Sequence, residues 1–140
     1  MVDPSYKGKQ YPPYEFTIER GKLREFLLAI DEQNPAYQSE DAPVPPTFPT
    51  VFTFWGGANL EARLGEMGVD MVNVLHGEQE YEYFAPIRVG DTVTGQTRIN
   101  DIYERKGSSG SMQFIEFITE YSNQSGALVL IDRALIIVRG

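Results

Sequence analysis

Two places in the chain hold side chains whose types and spacing could move a proton. One is Asp31-Glu32-Gln33-Asn34-Pro35-Ala36-Tyr37, where a carboxylate, an amide and a phenol follow one another closely. Glu32, Asn34 and Tyr37, spaced this way, could be the working end of an enzyme. The other is His76 in "LHGEQE", the single histidine of the chain. An imidazole is the one ordinary side chain suited to proton transfer near neutral pH. Glu78 and Glu80, two and four residues on, would share its strand face, and Glu78 or Glu32 would assist it. Each place also has a plain structural reading. The first could be a helix end with an Asn-Pro stop and Tyr37 packed over the loop. His76 could be a structural histidine bonded to backbone at a sheet turn.

Composition limits the chemistry further. The 140 residues suit one domain, read as an N-terminal extension over 1–13 and a folded domain over 14–140. Hydrophobic residues make up 41% and charged residues 23%, so disorder is unexpected beyond the first dozen residues, where "KGKQYPP" lacks an apolar period. The formal net charge of -8 repels phosphate backbones and excludes ordinary nucleic-acid binding. Without cysteine there is neither a disulfide nor a thiolate nucleophile, and one histidine is too few for an all-protein zinc site. No metal and no cofactor is expected. Glu78, Glu80 and Glu82 alternate as a solvated strand face would. No apolar run reaches the ~18 residues of a membrane span, so the cytoplasm is the expected location.

The elements that must position these residues are legible in outline. Tyr14 to Ile18 alternates at period two and predicts a short strand. Leu23, Phe26, Leu27 and Ile30 fall at i, i+3, i+4 and i+7 and predict a helix ended by Pro35. "APVPPTFP" predicts an irregular loop leading to a buried helix that starts near Pro46 or Pro49, with Val51, Phe52, Phe54 and Trp55 as core. Ala58 to Glu66 predicts a second, weaker helical piece. Beyond Gly68 the pattern predicts strands: Val69 to Val74 running on to Phe84, with Tyr81 and Tyr83 facing one way, and Thr92 to Tyr103, alternating through Val93, Thr97, Ile99 and Tyr103 on one face. A loop at 106–110 leads to Met112 through Tyr121. "APIRVGD" is a turn-rich link, and Gly90-Asp91 a turn within it. "NQSG" predicts a hairpin into a last strand, Ala127 to Val138, buried on both faces. Strand, helix, loop, buried helix and four antiparallel strands make an α+β hot-dog domain, a sheet wrapped around one apolar helix.

Five stretches in order carry a resemblance over roughly residues 16–138: "LREFLLAIDEQNPAY", "APVPPTFPTVFTFWGG", "VLHGEQEYEYFAPIRVGDTV", "NDIYERKG" and "NQSGALV". Through them the chain resembles the MaoC-like (R)-specific hydratase/dehydratase superfamily. Within it the match is to FAS1-like, N-terminal-type dehydratase domains and their noncatalytic subunits. In active members the resemblance implies a Gly-Asp-x-Asn-Pro-x-His pattern, whose Asp and His hold water beside an enoyl or 3-hydroxyacyl thioester. It also implies a glycine N–H at the start of the buried helix, which polarises the thioester carbonyl.

Laid on that pattern, Asn34 and Pro35 match, Glu32 takes the acidic position, and Tyr37 stands where the histidine belongs. A phenol, with an ordinary pKa of about 10, is a poor base at pH 7. Pro45-Pro46 stands where active members present His-Gly, and Pro46 has no N–H to donate. Thr47 keeps the best remaining donors there. No intact catalytic set is therefore expected, and Glu32, Asn34 and Tyr37 are degenerate positions. His76 is preferred in its structural role, because the dyad of active relatives arises from another segment. Pro46, Thr47, Phe48, His76 and Gly77 are the expected substrate-facing residues.

The expected role is the acyl-thioester-binding subunit of a (3R)-hydroxyacyl-CoA or acyl-carrier-protein dehydratase, acting beside a catalytic MaoC-like subunit. The alternatives are an autonomous homodimeric hydratase or thioesterase using His76, and a pure acyl-CoA or carrier-protein binding module. An acidic carrier or the phosphates of CoA would need a local basic patch from Arg88, Arg98 or Arg105.

Overall fold

The alternating residues Tyr14–Thr17 form strand β1 and lead straight into helix α1, Arg20–Ala29. The computed structural model describes residues 1–57, 60–108 and 110–140. Helix α1 buries Leu23 and Leu27, while Phe26 meets Phe48 edge-on at 5.3 Å between ring centres. It ends earlier than Pro35 would dictate. Asp31 takes a positive φ of 53°, and the Glu32 N–H bonds back to the Leu27 carbonyl at 2.9 Å. That left-handed cap satisfies the last carbonyls, a place where aspartate is tolerated better than most non-glycine residues. Ile30 is thereby carried out of the apolar stripe and left exposed. Pro35 instead opens a short 3-10 turn, Pro35–Gln38.

Helix α2, Thr50–Trp55, begins just after Pro49 and buries Val51 and Phe52. Phe52 touches three rings, those of Phe16 at 5.0 Å, Phe48 at 5.8 Å and Tyr121 at 5.2 Å. The expectation that Phe54 and Trp55 also belong to the core is overturned: they are 69% and 72% exposed. The helix has left the core by its last turn, and Trp55 there meets the Lys22 ammonium at 5.1 Å from its ring centre. Helix α3, Leu60–Glu66, buries Arg63 and Leu64. The predicted start of this piece at Ala58 lies outside the described residues.

Four long strands follow: β2 (Val74–Tyr83), β3 (Thr92–Gly107), β4 (Gly110–Ser122) and β5 (Leu128–Arg139). The sheet order is β1-β3-β4-β5-β2, antiparallel throughout. This is the hot-dog arrangement, with α2 against the inner face. The predicted strand over Val69 to Val74 is instead a 3-10 turn, Met71–Asn73, capped by the Asp70 carboxylate on the Val72 N–H at 3.1 Å. A bulge between Ile99 and Asp101 turns Ile102, not Tyr103, to the inside. Tyr103 then stacks on Phe114 on the outer face, with ring centres 5.0 Å apart. The loop expected at 106–110 shrinks as β3 runs on to Gly107 and β4 opens at Gly110; Ser109 lies outside the described residues. In the β4–β5 hairpin the Asn123 side chain accepts the Ser125 and Ala127 N–H groups, and Gly126 has a φ of 80°. Strand β5 is not buried on both faces throughout: Ile131, Leu135 and Ile137 on its outer side are only half-buried.

The core has two parts. One joins α1, α2 and the proline loop to Val93, Tyr121 and Leu130; the other joins Leu64 of α3 to Ile99, Ile115, Phe117 and Ile136. The first dozen residues, aperiodic in sequence, are ordered against the second part. Tyr11 N–H bonds to the Thr97 carbonyl at 2.8 Å, and the Ile99 N–H bonds to the Lys9 carbonyl at 2.9 Å. Val2 is buried, its N–H and carbonyl both held by the Gln113 amide at 2.6 and 2.7 Å. Backbone pairing along a sheet edge needs no side-chain period, which is why the sequence concealed it.

Candidate functional site

The helix-to-loop segment uses its polar groups on itself. The Glu32 carboxylate accepts the Asn34 N–H at 2.9 Å, and the Asn34 side-chain oxygen accepts the Ala36 N–H at 3.0 Å. Both are turn-forming bonds that short polar side chains make locally. Glu32 and the half-buried Tyr37 line one cavity of about 240 Å³ on the flank of α1, together with Leu23, Leu27 and Leu28. Asn34 is not among its lining residues, and neither is His76.

At the entrance to α2, Pro46 and Thr47 are exposed and Phe48 is fully buried. The Tyr83 hydroxyl donates to the Pro46 carbonyl at 2.9 Å, and the Tyr81 hydroxyl shares a bond with Thr50 Oγ1 at 2.9 Å. Tyr81 and Tyr83 do face one way, towards this turn. Burial pushes the Tyr81 phenol up to about 12 and the Tyr83 phenol higher still, so both remain protonated anchors. Pro43, Val44, Pro46, Tyr83, Phe84 and Ile87 line an apolar groove of about 420 Å³ beside them. The proline loop is fixed there by Val44 N–H to the Ile87 carbonyl at 2.8 Å and Val89 N–H to the Ala42 carbonyl at 2.9 Å.

His76 does not share a face with Glu78 and Glu80. The strand register slips between His76 and Glu78, so Gly77 is the extra residue of a bulge. A slip of one residue exchanges the two faces. His76 opposes Ile136 and joins Gln79, Tyr81 and Tyr83 on the inner side, while Glu78, Glu80 and Glu82 oppose the outward Leu135, Arg133 and Ile131. A Cβ on Gly77 would stand 2.9 Å from Ile137 Cδ1, which favours glycine at the bulge. Glu80 and Glu82 pair with Arg133 at 2.6 and 3.3 Å.

The inner neighbours of His76 include a carboxylate that sequence reasoning missed. His76, exposed itself, lines a cavity of about 70 Å³ with Thr53, Arg63, Gln79, Thr119 and Asp132. The signal was present: one acid interrupts the apolar run "ALVLIDRALIIV". Asp132 is 6% exposed and accepts a hydrogen bond from Gln79 Nε2. Burial raises its pKa to about 6, against the opposing pull of the Gln79 bond and the Arg63 charge. Nearby, the phenols of the half-buried Tyr14 and the buried Tyr121 are bonded to each other at 2.6 Å. Gly95 leaves room for them, since a Cβ there would meet the Tyr121 ring at 2.7 Å.

A carboxyl with a raised folded-state pKa disfavours the fold once it ionises. The penalty is absent below the unfolded value of 3.8 and complete above about 6. This group therefore lowers stability by roughly 3 kcal/mol as pH rises from about 4 to about 7. Asp132→Asn is expected to remove that decline. Urea midpoints of the two proteins at both pH values give the difference; parallel pH trends would contradict it.

The three arginines considered for a basic patch are engaged separately. Arg88 Nη1 donates to the Asp41 carbonyl at 3.1 Å, Arg98 pairs with Glu120 at 3.0 Å, and Arg105 lies over the Tyr103 and Phe114 rings. Among the described residues, no group of three or more His, Asp or Glu is placed to hold a metal ion, and no helix is long and apolar enough to cross a membrane.

Residues 5–132 match the family described as the FAS1-like, dehydratase domain region. The UPF0336 protein of Thermobifida fusca is 32% identical over 149 residues, covering 99% of this chain and 95% of that protein. The UPF0336 protein of Tropheryma whipplei (strain Twist) is 32% identical over 138 residues, covering 94% and 95%. Among solved structures, the HadBC (3R-hydroxyacyl-ACP dehydratase) complex from Mycobacterium tuberculosis is similar with a TM-score of 0.73, at 20% identity, covering 94% of this chain and 96% of that one. The ChsH1-ChsH2 complex from the same organism gives 0.74 at 16% identity, covering 94% and 86%. The MaoC-like dehydratase from Rhodospirillum rubrum gives 0.63 at 15% identity, covering 94% and 91%. At such identities the structural likeness is one of fold.

Proposed function

The chain belongs to the FAS1-like dehydratase-domain family, and from that membership we propose that it is the acyl-thioester-binding subunit of a (3R)-hydroxyacyl-CoA or acyl-carrier-protein dehydratase, paired with a catalytic MaoC-like subunit. The observation that carries this reading is the state of the helix-to-loop segment. It carries a phenol at Tyr37 where the family pattern implies an imidazole, and its carboxylate at Glu32 is tied to the Asn34 N–H. The only histidine lines a different cavity.

Two features support a role in shaping a site rather than running it. The apolar groove beside Pro46 and Tyr83 offers a wall for an acyl chain, and next along the chain from Pro46, Thr47 is exposed and Phe48 buried. Strand β2, with His76 and Gly77, is an edge strand whose outer row of backbone groups pairs with nothing among the described residues. Such an edge invites a partner strand. The two complexes of similar fold, HadBC and ChsH1-ChsH2, also support a partnered subunit.

Co-expression with each MaoC-like subunit of its own cell tests the proposal. One of them is expected to co-purify with this chain, and the pair to hydrate crotonyl-CoA where neither subunit alone does. Absence of pairing with every candidate would overturn it. An isolated homodimer that hydrates crotonyl-CoA, and loses the activity in His76→Ala, would assign the reaction to this chain alone. That second reading has one observation in its favour, the cavity His76 shares with Asp132.

A further inference from the structure

We propose that the inner-face cavity between α3 and strands β5 and β2 binds a small carboxylate, gripped by the Arg63 guanidinium and by the Asp132 carboxyl. The inference is independent of the dehydratase reading, because it starts from a buried charge without an ion-pair partner among the described residues. Arg63 is 6% exposed, its Nε has no hydrogen-bond partner, and it forms no ion pair among the described residues. Its guanidinium lies 4.8 Å from the centre of the Tyr11 ring, a weak substitute for a counter-ion. A guanidinium keeps its charge in proteins, and burying one without an anion is among the costliest arrangements a core can contain.

Asp132 cannot supply that anion by contact, since the two form no ion pair. They face a common space instead, with Gln79, Thr53 and Thr119 as further polar walls and His76 exposed among the lining residues. Its volume of about 70 Å³ matters for what fits. One water needs roughly 10–15 Å³ of such space, so a group of about five to seven heavy atoms is the upper limit. Acetate and propionate fit within it.

The chemistry selects the carboxylate. A guanidinium presents paired N–H groups that match two carboxylate oxygens. A neutral amide would leave the Arg63 charge uncompensated, and a doubly charged phosphate would set excess negative charge against Asp132. A carboxylate instead shares one proton with Asp132, which then donates to it, as two close carboxyls do. The other groups that interact with Asp132 are Tyr81 and Tyr83 of β2, Tyr14 of β1 and Tyr121 of β4, all phenols pushed upward by burial. Arg63 of α3 and His76 of β2 are the groups able to carry positive charge there.

Calorimetric or NMR titration of the whole chain with sodium acetate, sodium propionate and acetamide, at constant ionic strength, tests the site. Acetate and propionate are expected to saturate one site with a Kd of about 1–50 mM, as suits so small a ligand, and acetamide to bind more weakly. Binding takes up a proton, so affinity should fall up to about tenfold per pH unit above about pH 6. Asp132→Asn should keep acetate binding and lose that pH dependence, because the amide donates without titrating. Arg63→Gln should weaken acetate on the order of tenfold to a hundredfold. The wild-type pH series stands without any variant, should one fail to fold. No saturation by either carboxylate, acetamide binding as tightly as acetate, or affinity indifferent to pH would each overturn the proposal and leave a water-filled cavity.

Discussion

Hydration of crotonyl-CoA by a partner-free preparation is expected to run on the order of 10⁴-fold or more below that of a MaoC-like enzyme with its dyad intact. Two losses combine. A positioned general acid–base is worth roughly 10²–10⁴ in rate, and one oriented N–H on a developing oxyanion roughly 10²–10³. In this chain Tyr37 stands at the imidazole position and Pro46 at the position of the donating amide, as the family pattern implies. Tyr37→His alone is expected to recover little, because Pro46 still lacks an N–H and Glu32 is still engaged with Asn34. A spectrophotometric assay of the enoyl-thioester absorbance, run after removal of any co-purifying subunit, reads both proteins on the same scale. Brisk turnover by either would defeat the reading of a site-shaping subunit.

Phe52→Ala is expected to lower stability by about 3–5 kcal/mol, the usual range for deleting a fully buried phenyl ring. The side chain is 0% exposed and joins Phe16 of β1, Phe48 of the proline loop and Tyr121 of β4 through one ring. Its loss would open a cavity at the point where α2 meets the sheet. Against a total of about 5–15 kcal/mol for a natural domain, that is a large fraction. The melting temperature should fall by roughly 10–20 °C for a chain of this length. Trp55→Ala, three residues on, is the control: at 72% exposure it should change stability by about 0.5 kcal/mol or less. Equal effects of the two substitutions would mean that the burial assigned to α2 is wrong.

That pair of aromatics also marks the boundary of what a sequence can say. Val51, Phe52, Phe54 and Trp55 are equally apolar on paper, and rotation about a helix even places Trp55 near Phe52. Only the end of the core along the helix axis separates them. The same holds for Tyr103 and His76. Period-two reasoning carries a strand's faces forward correctly until a bulge adds one residue, and then every later assignment is exchanged. Asp132 was legible as a lone acid in an apolar strand, but its neighbours Arg63 and Gln79 come from α3 and β2, far away in the chain. Arg63, on the weaker predicted helix, had the sequence signature of a solvent-facing residue.

By itself the sequence determined the order of most elements, the hot-dog class and that the chain's single imidazole lies outside the helix-to-loop segment. Those depend on local periodicity, on turn chemistry and on which functional groups a side chain possesses, and all three are properties of residue type and spacing. Tertiary structure alone decided which inner-face groups meet, that the aperiodic first residues dock on the sheet, and that a guanidinium and a carboxyl line one small cavity. Those depend on strand register and on contacts between distant segments, where a single extra residue reverses a face and no local pattern records the partner.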